Sequence, residues 1–369
     1  MYYSIDELEE RALNDDAESM YLLARIYRNG NQCEKDVDKA IKLLQKATSL
    51  GHPHACVDLA FLYLNGVKRE FRKYEDYLAY FDAHKEDGLA FVPDKGMAMR
   101  LFCRAYDYGY VKKPEEYHPF EMAYTCCVHA KDKRTIAREL VLELIKHKDE
   151  NLYARFVLGR CYDNGIGVKV NKQKAYELYK LPAKLGNMRA RNLLAWVCFN
   201  ANDEGTLGEF RASDMFKELI EQDVKNAYYG LGLCYFRGIG TDTDWDKALH
   251  LFKEGAKLGD ADCCHQLGKL FLEGIVVEKN DELAEEYLLK GVAQKNANCV
   301  QLLANYYYSQ GTPDSIMKCM QCHNILNRKG YRKSVAWLYA YCTSNNTTMD
   351  ELNEKMNANP LGITFTKCV

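Results

Sequence analysis

From Ala227 to Asp262 the apolar positions fall into two helical stretches separated by glycine. Ala227, Leu231, Cys234 and Tyr235 recur at helical spacing before Gly238 and Gly240 interrupt them. Ala248, Leu251, Phe252, Gly255 and Ala256 then resume the period, and Gly259 ends it. The pattern predicts two short amphipathic helices joined by a glycine turn. Neither helix buries its apolar stripe alone, so the pair needs neighbours of its own kind. The chain supplies them. Ser19, Ala55, Ala154, Ala190, Ala227, Cys263 and Cys299 are each followed four residues later by leucine, at 23, 59, 158, 194, 231, 267 and 303. An alanine or glycine follows each leucine, at 24, 60, 159, 195, 232, 268 and 304. The anchors lie 36 or 37 residues apart (19 to 55, 154 to 190, 190 to 227, 227 to 263, 263 to 299), and a fixed period in this range predicts a solenoid.

Ala154, Leu158, Gly159, Tyr162, Gly165, Gly167, Val168, Lys174, Ala175, Ala183 and Gly186 together resemble the Sel1-like repeat, a relative of the tetratricopeptide repeat. Gly232, Tyr235, Gly238, Gly240, Lys247, Ala248, Ala256 and Gly259 carry the same likeness in a second copy. The resemblance implies an all-α fold, a right-handed α-solenoid or superhelix of about eight to nine helix-turn-helix repeats. It also implies an adaptor or scaffold that assembles other proteins. The matched positions are structural and name no partner.

In chain order, residues 1–18 read as an N-terminal capping helix, opened by the capping box Ser4-x-x-Glu7. The array is expected over 19–334, with repeats starting near 19, 55, 118, 154, 190, 227, 263 and 299. The second helix of the repeat at 55 should open near 76, but its matching alanine is Ala98, so 22 residues (98 − 76) are inserted, within about 67–93. Phe71, Tyr74, Tyr77 and Phe81 make that insertion aromatic and a candidate contact element. The repeat at His118 is degenerate: no glycine turn divides it, and its second helix is expected over Thr135–His147. Residues 335–369 read as a degenerate repeat, a helix capped by Thr348-x-x-Glu351, and an extended tail.

A net charge of −2 over 369 residues gives no electrostatic reason to expect nucleic acid. No apolar run approaches the roughly 20 residues that span a bilayer. The start, acidic and without a basic-then-apolar pattern, does not read as a signal peptide, so the cytoplasm is expected. Fifteen cysteines are many for such a chain. Secreted relatives of the resembled family staple each repeat with a regularly placed pair, and no such pairing recurs here. Cys161, Cys234, Cys342, Cys126 and Cys198 instead fall on the core side of first helices, where cysteine acts as a small hydrophobe in a reducing compartment.

Cys319-Met-Gln-Cys322-His323 spells a haem-attachment motif but lies inside a predicted helix, and Cys263-Cys264-His265 could share a metal site with it. Asp242, Asp244 and Asp246 alternate like the start of a calcium loop but lack its glycine and closing glutamate; acids ahead of a helix N-terminus explain them. With no nucleophile–base pair and no HExxH, the chain reads as no enzyme and no cofactor is expected. A cysteine-based metal or haem carrier is the competing class.

At about 100° per residue, positions 1, 5, 8, 9 and 12 of each first helix share the core face, and positions 3, 7 and 10 point away. By resemblance, those outward positions line the concave surface. They hold Tyr21, Phe61, Phe120, Tyr124, Phe156, Trp196, Phe199, Tyr229, Phe236, Tyr308, Trp337 and Tyr341, so 12 of 27 sites are aromatic where the chain averages 12%. Arg25, Arg28, Arg160, Asp163, His265, Lys269, Gln301 and Asn305 fill some of the rest. Two readings stay open: packing between successive first helices, or a groove for a protein or peptide, for which Tyr, Trp and Arg are the usual anchors. A groove would make the protein an adaptor, or an inhibitor or immunity-type protein that neutralises one effector or toxin.

Overall fold

The computed structural model describes residues 3–65, 94–110, 118–129, 133–201 and 211–328, with isolated positions between 338 and 354. The insertion aromatics Phe71, Tyr74, Tyr77 and Phe81, together with Trp337 and the tail, lie outside the described residues. All regular structure among the described residues is helical. The chain divides into two compact units, Met1–Ala190 and Arg191–Val369.

In the first unit α1 (Ile5–Leu13) precedes four helix pairs: α2 (Ala17–Asn29) with α3 (Val37–Ser49), α4 (Pro53–Asn65) with α5 (Lys95–Asp107), α6 (Pro119–His129) with α7 (Lys133–His147), and α8 (Leu152–Asn164) with α9 (Lys172–Lys184). The second unit takes up the pattern within α10 (Met188–Asn200). It continues through α11 (Ala212–Glu221), α12 (Asn226–Arg237), α13 (Trp245–Lys257), α14 (Ala261–Glu273), α15 (Asp281–Ala293), α16 (Ala297–Gln310) and α17 (Pro313–Arg328). Stacked helix-turn-helix pairs of this kind are the α-solenoid class.

One hydrogen bond closes most of the hairpins. The residue that caps the second helix donates its backbone N–H to the carbonyl of the aromatic at position 9 of the first helix. The pairs are Asp36–Tyr27 (3.0 Å), Asn171–Tyr162 (2.9 Å), Asp244–Tyr235 (2.9 Å) and Asn280–Phe271 (3.0 Å). The interrupted repeat obeys the same rule, since Asp94 N–H reaches the Tyr63 carbonyl at 2.9 Å. Tyr63 and Asp94 are therefore joined as the matching residues of an uninterrupted repeat are. The same capping residues accept a second-helix N–H on their side chains: Asp36 from Lys39, Asn171 from Lys174, Asp244 from Lys247 and Asn280 from Leu283, each at 2.9 Å. Such caps satisfy donors that a helix start leaves unpaired. Asp244 thus works as a helix cap.

The core follows the small-then-large rule of the repeat. Leu23, Leu59, Leu158, Leu194, Leu231, Leu267 and Leu303 are all buried. A Cβ added at Gly159, Gly232 or Gly268 would come within 2.6 Å of Tyr179, 2.4 Å of Phe252 or 2.5 Å of Leu288. The missing side chain on the first helix is what lets a large one on the second lie against its backbone.

The degenerate repeat departs from the expected phase. His118 does not open its first helix but precedes it, and its Nδ1 accepts the Phe120 N–H at 3.2 Å as a cap. With the register shifted, Phe120 and Tyr124 turn inward, at 0% and 5% exposure. His52 caps α4 in the same way, accepting the Ala55 N–H on Nδ1 at 3.1 Å, and its Nε2–H donates to Glu18 at 2.9 Å.

Candidate functional site

The aromatic positions of the first helices separate into two groups. Phe156, Phe199, Phe120 and Tyr124 are buried and pack. Phe156 meets Tyr179 of α9 with ring centroids 5.9 Å apart. Helices flanked on both sides bury more than one stripe, which is why Phe156, at an outward-pointing position of α8, also became core. Tyr21, Trp196, Tyr229 and Phe236 stay half-buried, while Phe61 and Tyr308 are exposed.

In the second unit the half-buried Trp196 and Tyr229 join three buried rings in one continuous cluster. Trp196 stands edge-on to Phe216 at 5.1 Å and to Phe199 at 5.5 Å, and tilts toward Tyr229 at 5.9 Å. Tyr229 continues to Phe252 at 6.1 Å. Arg237 holds its guanidinium 5.7 Å from the Phe199 ring, a cation–π contact. Burial pushes the Tyr229 hydroxyl above its ordinary pKa, with Asp262 adding to the effect, so it stays a neutral donor. The cluster presents apolar ring surface with one cation beside it on rigid helices. Arg237 was not among the positions singled out in the sequence; its place beside Phe236 was the available signal.

In the first unit the wall is more polar. Tyr21 stacks on His52 at 4.6 Å, His54 lies 5.9 Å from both, and Tyr110 tilts onto His54 at 5.1 Å. Arg25 sits 5.8 Å from the Tyr21 ring, and Arg28 pairs with Asp58 at 3.2 Å. Arg160 covers the Tyr124 ring at 4.1 Å and that of Phe156 at 6.0 Å. The structure thus places Tyr21, Arg25 and Arg28 near one another, and Arg160 over Tyr124 and Phe156.

The cysteine clusters pack. Each of the fourteen described cysteines is a free thiol, and only Cys33 is not buried. Cys319 and Cys322 belong to the apolar core around α16 and α17. Cys299 Sγ would stand 2.2 Å from a Cβ added at Gly291, so thiol fills the space that glycine vacates. Burial raises the thiols of Cys161 and Cys299 to about 12, and both stay protonated at neutral pH. Among the described residues the three-ligand group that could hold a metal is instead Asp107, Glu143 and His147, with ligand atoms within 4.8 Å. Lys146 Nζ lies 3.8 Å from both carboxylates there, and His147 pairs with Asp107 at 3.0 Å, so the chain balances these charges itself. No helix among the described residues is long and apolar enough to cross a membrane.

The family model for the Sel1 repeat matches residues 17–52, 53–73, 152–187, 225–260 and 261–296. Protein sel-1 homolog 2 of Homo sapiens is 29% identical over 133 residues, 34% of this chain and 19% of that protein. Chitin synthase regulatory factor 2 of Schizosaccharomyces pombe is 25% identical over 166 residues, 40% of this chain and 32% of that protein. The chain thus spans about a fifth to a third of the length of these relatives. Among solved structures, a protective antigen of uropathogenic Escherichia coli displaying an SLR fold aligns with 94% of this chain and 76% of that one, at 20% identity and a TM-score of 0.42. An immunity protein of Pseudomonas aeruginosa aligns with 57% of this chain and 77% of that one, at 19% identity and a TM-score of 0.39. Each matched segment begins just ahead of one of the anchors Ser19, Ala55, Ala154, Ala227 and Cys263, and over those five segments the chain carries Sel1 repeats.

Proposed function

We propose that the protein is a non-catalytic adaptor of the cytoplasm, holding a protein or peptide partner on the first-helix face of its repeats. The observation that carries this reading is the ring cluster of the second unit. Trp196 and Tyr229 are half-buried in that cluster, Arg237 lies against its Phe199 ring, and the neighbouring Phe236 is half-buried on the same helix as Tyr229. Large rings with few rotamers, already held in place, lose little entropy when a partner covers them. Tyr308 adds to the candidate surface of the second unit, supported from within by Phe199. Tyr21, Arg25, Arg28, Phe61 and Arg160 make a candidate surface of the first unit by itself, supported from within by Phe120, Tyr124 and Phe156.

The test is affinity capture from the native host with Trp196→Ala/Tyr229→Ala and, separately, Phe236→Ser/Arg237→Glu. Circular dichroism is recorded on each variant. Loss of the captured protein by about tenfold or more with helicity unchanged supports the reading. Undiminished capture by folded variants overturns it. The second pair of substitutions guards against the case in which losing Trp196 loosens the contact with Phe216 and unfolds the repeat.

A further inference from the structure

A cleft of about 450 Å³ opens in the first unit between the start of α7 and the turn that follows α8. Arg134, Ala137 and Arg138 of α7 line one side, and Gly165, Ile166, Gly167, Val168 and Lys169 of the turn line the other, with Cys127 of α6 beneath. The walls are pinned together. A Cβ at Gly167 would stand 2.2 Å from the Ala137 carbonyl oxygen, so the turn rests directly on the α7 backbone. The volume is in the range of small-ligand sites.

The charge of the cleft is one-sided. Arg134, Arg138 and Lys169 are exposed cations, and among the described residues none has a carboxylate partner. The neighbouring cations behave differently: Arg155 lies 3.8 Å from Asp149, and Lys172 lies 2.5 Å from Asp163. Cys127 adds no anion, because burial keeps its thiol protonated. Ala137, Ile166, Val168 and Cys127 give the cleft apolar surface below this rim.

We propose that this cleft binds a small amphipathic anion, a phosphate or carboxylate head held by Arg134, Arg138 and Lys169 and a short apolar body lying on Ile166, Val168 and Ala137. Two guanidinium groups and an ammonium around one opening suit a head with several acceptor oxygens. The site is separate from the ring cluster of the second unit and does not depend on the adaptor reading.

The test is isothermal titration of the full chain with hexyl phosphate and with hexanoate. Inorganic phosphate and hexylammonium serve as controls. Saturable 1:1 binding of either amphipathic anion is expected, weaker as salt is raised. The triple variant Arg134→Ala/Arg138→Ala/Lys169→Ala should weaken it by about tenfold or more, while Lys217→Ala, remote in sequence and in the other unit, leaves it unchanged. Helicity is recorded for the triple variant to separate lost binding from lost fold, and Arg134→Lys/Arg138→Lys, which keeps the charge, should retain most of the binding. Failure of both anions to bind, equal binding of hexylammonium, or an unchanged affinity in a folded triple variant overturns the proposal. Inorganic phosphate binding as tightly as hexyl phosphate overturns the apolar half of it.

Discussion

The turns that follow α8 and α12 hold the same backbone: φ is +71° and +72° at Gly165 and Gly167, and +71° and +65° at Gly238 and Gly240. The residue between the glycines donates its N–H to the same place in each, Ile166 to the Cys161 carbonyl at 2.9 Å and Ile239 to that of Cys234 at 3.0 Å. Their surroundings are opposite. The first turn runs on into Val168, Lys169 and Val170 and faces Arg134 and Arg138. The second runs on into Thr241, Asp242 and Thr243, and Ser213 donates its hydroxyl to the Gly240 carbonyl at 2.8 Å. The repeat dictates the path of the chain at these points. It leaves the flanking side chains free, so one turn borders a cationic cleft while the other is an acidic, hydrogen-bonded corner.

The comparison breaks most severely at Gly167. Gly167→Ala adds a Cβ in left-handed backbone and drives it into the Ala137 carbonyl, so a loss of about 3 kcal/mol or more is expected, read as a lower urea midpoint. Gly109→Ala, at φ +82° but with open space around it, should cost only the backbone strain, about 1–2 kcal/mol. Next comes Gly232→Ala in the second unit, where the new Cβ meets the Phe252 ring at 2.4 Å. Overpacking of about 1–3 kcal/mol is partly offset there by the better helix propensity of alanine. Ser213→Ala removes the hydroxyl that meets Gly240, and about 1 kcal/mol should follow, with no effect on the first turn.

The smallest effect is one of pH, and it belongs to the second unit. Burial pulls the His265 and His323 imidazoles below the ordinary value of 6.5. Above that value both are neutral folded and unfolded, and they contribute no pH dependence. As pH falls below it, the unfolded chain takes up protons that the native chain refuses, so stability declines. Thermal melts between pH 7 and pH 5 should show a falling midpoint, with a shallower fall in His323→Gln.

Much of the array was legible in the residues. The small anchors, the leucines four places on and the glycine pairs marked the helix pairs, because each encodes a local requirement: a close helix approach or a left-handed φ. The capping boxes were equally readable. Ser4 and Glu7 exchange hydrogen bonds at 2.8 and 3.2 Å, and Thr348 and Glu351 do so at 3.1 and 3.2 Å. The degenerate repeat was harder. Without a glycine turn to set its phase, counting 36 residues back from Ala154 put His118 inside a helix that it caps instead. The aromatic face was legible as a pattern but not as a role. Phe156 and Trp196 carry the same sign in a periodic reading, yet one is 1% exposed and the other half-buried.

The sequence by itself determined that the chain folds as paired helices with closely fitted glycines, since each of those choices is made within one repeat. Which rings remain exposed was decided only by the tertiary structure, because exposure depends on what the next repeat places alongside. The cationic cleft was decided there too: Arg134, Arg138 and Lys169 lie up to 35 residues apart (169 − 134) and share one opening only because the Gly165–Gly167 turn rests on the backbone of α7.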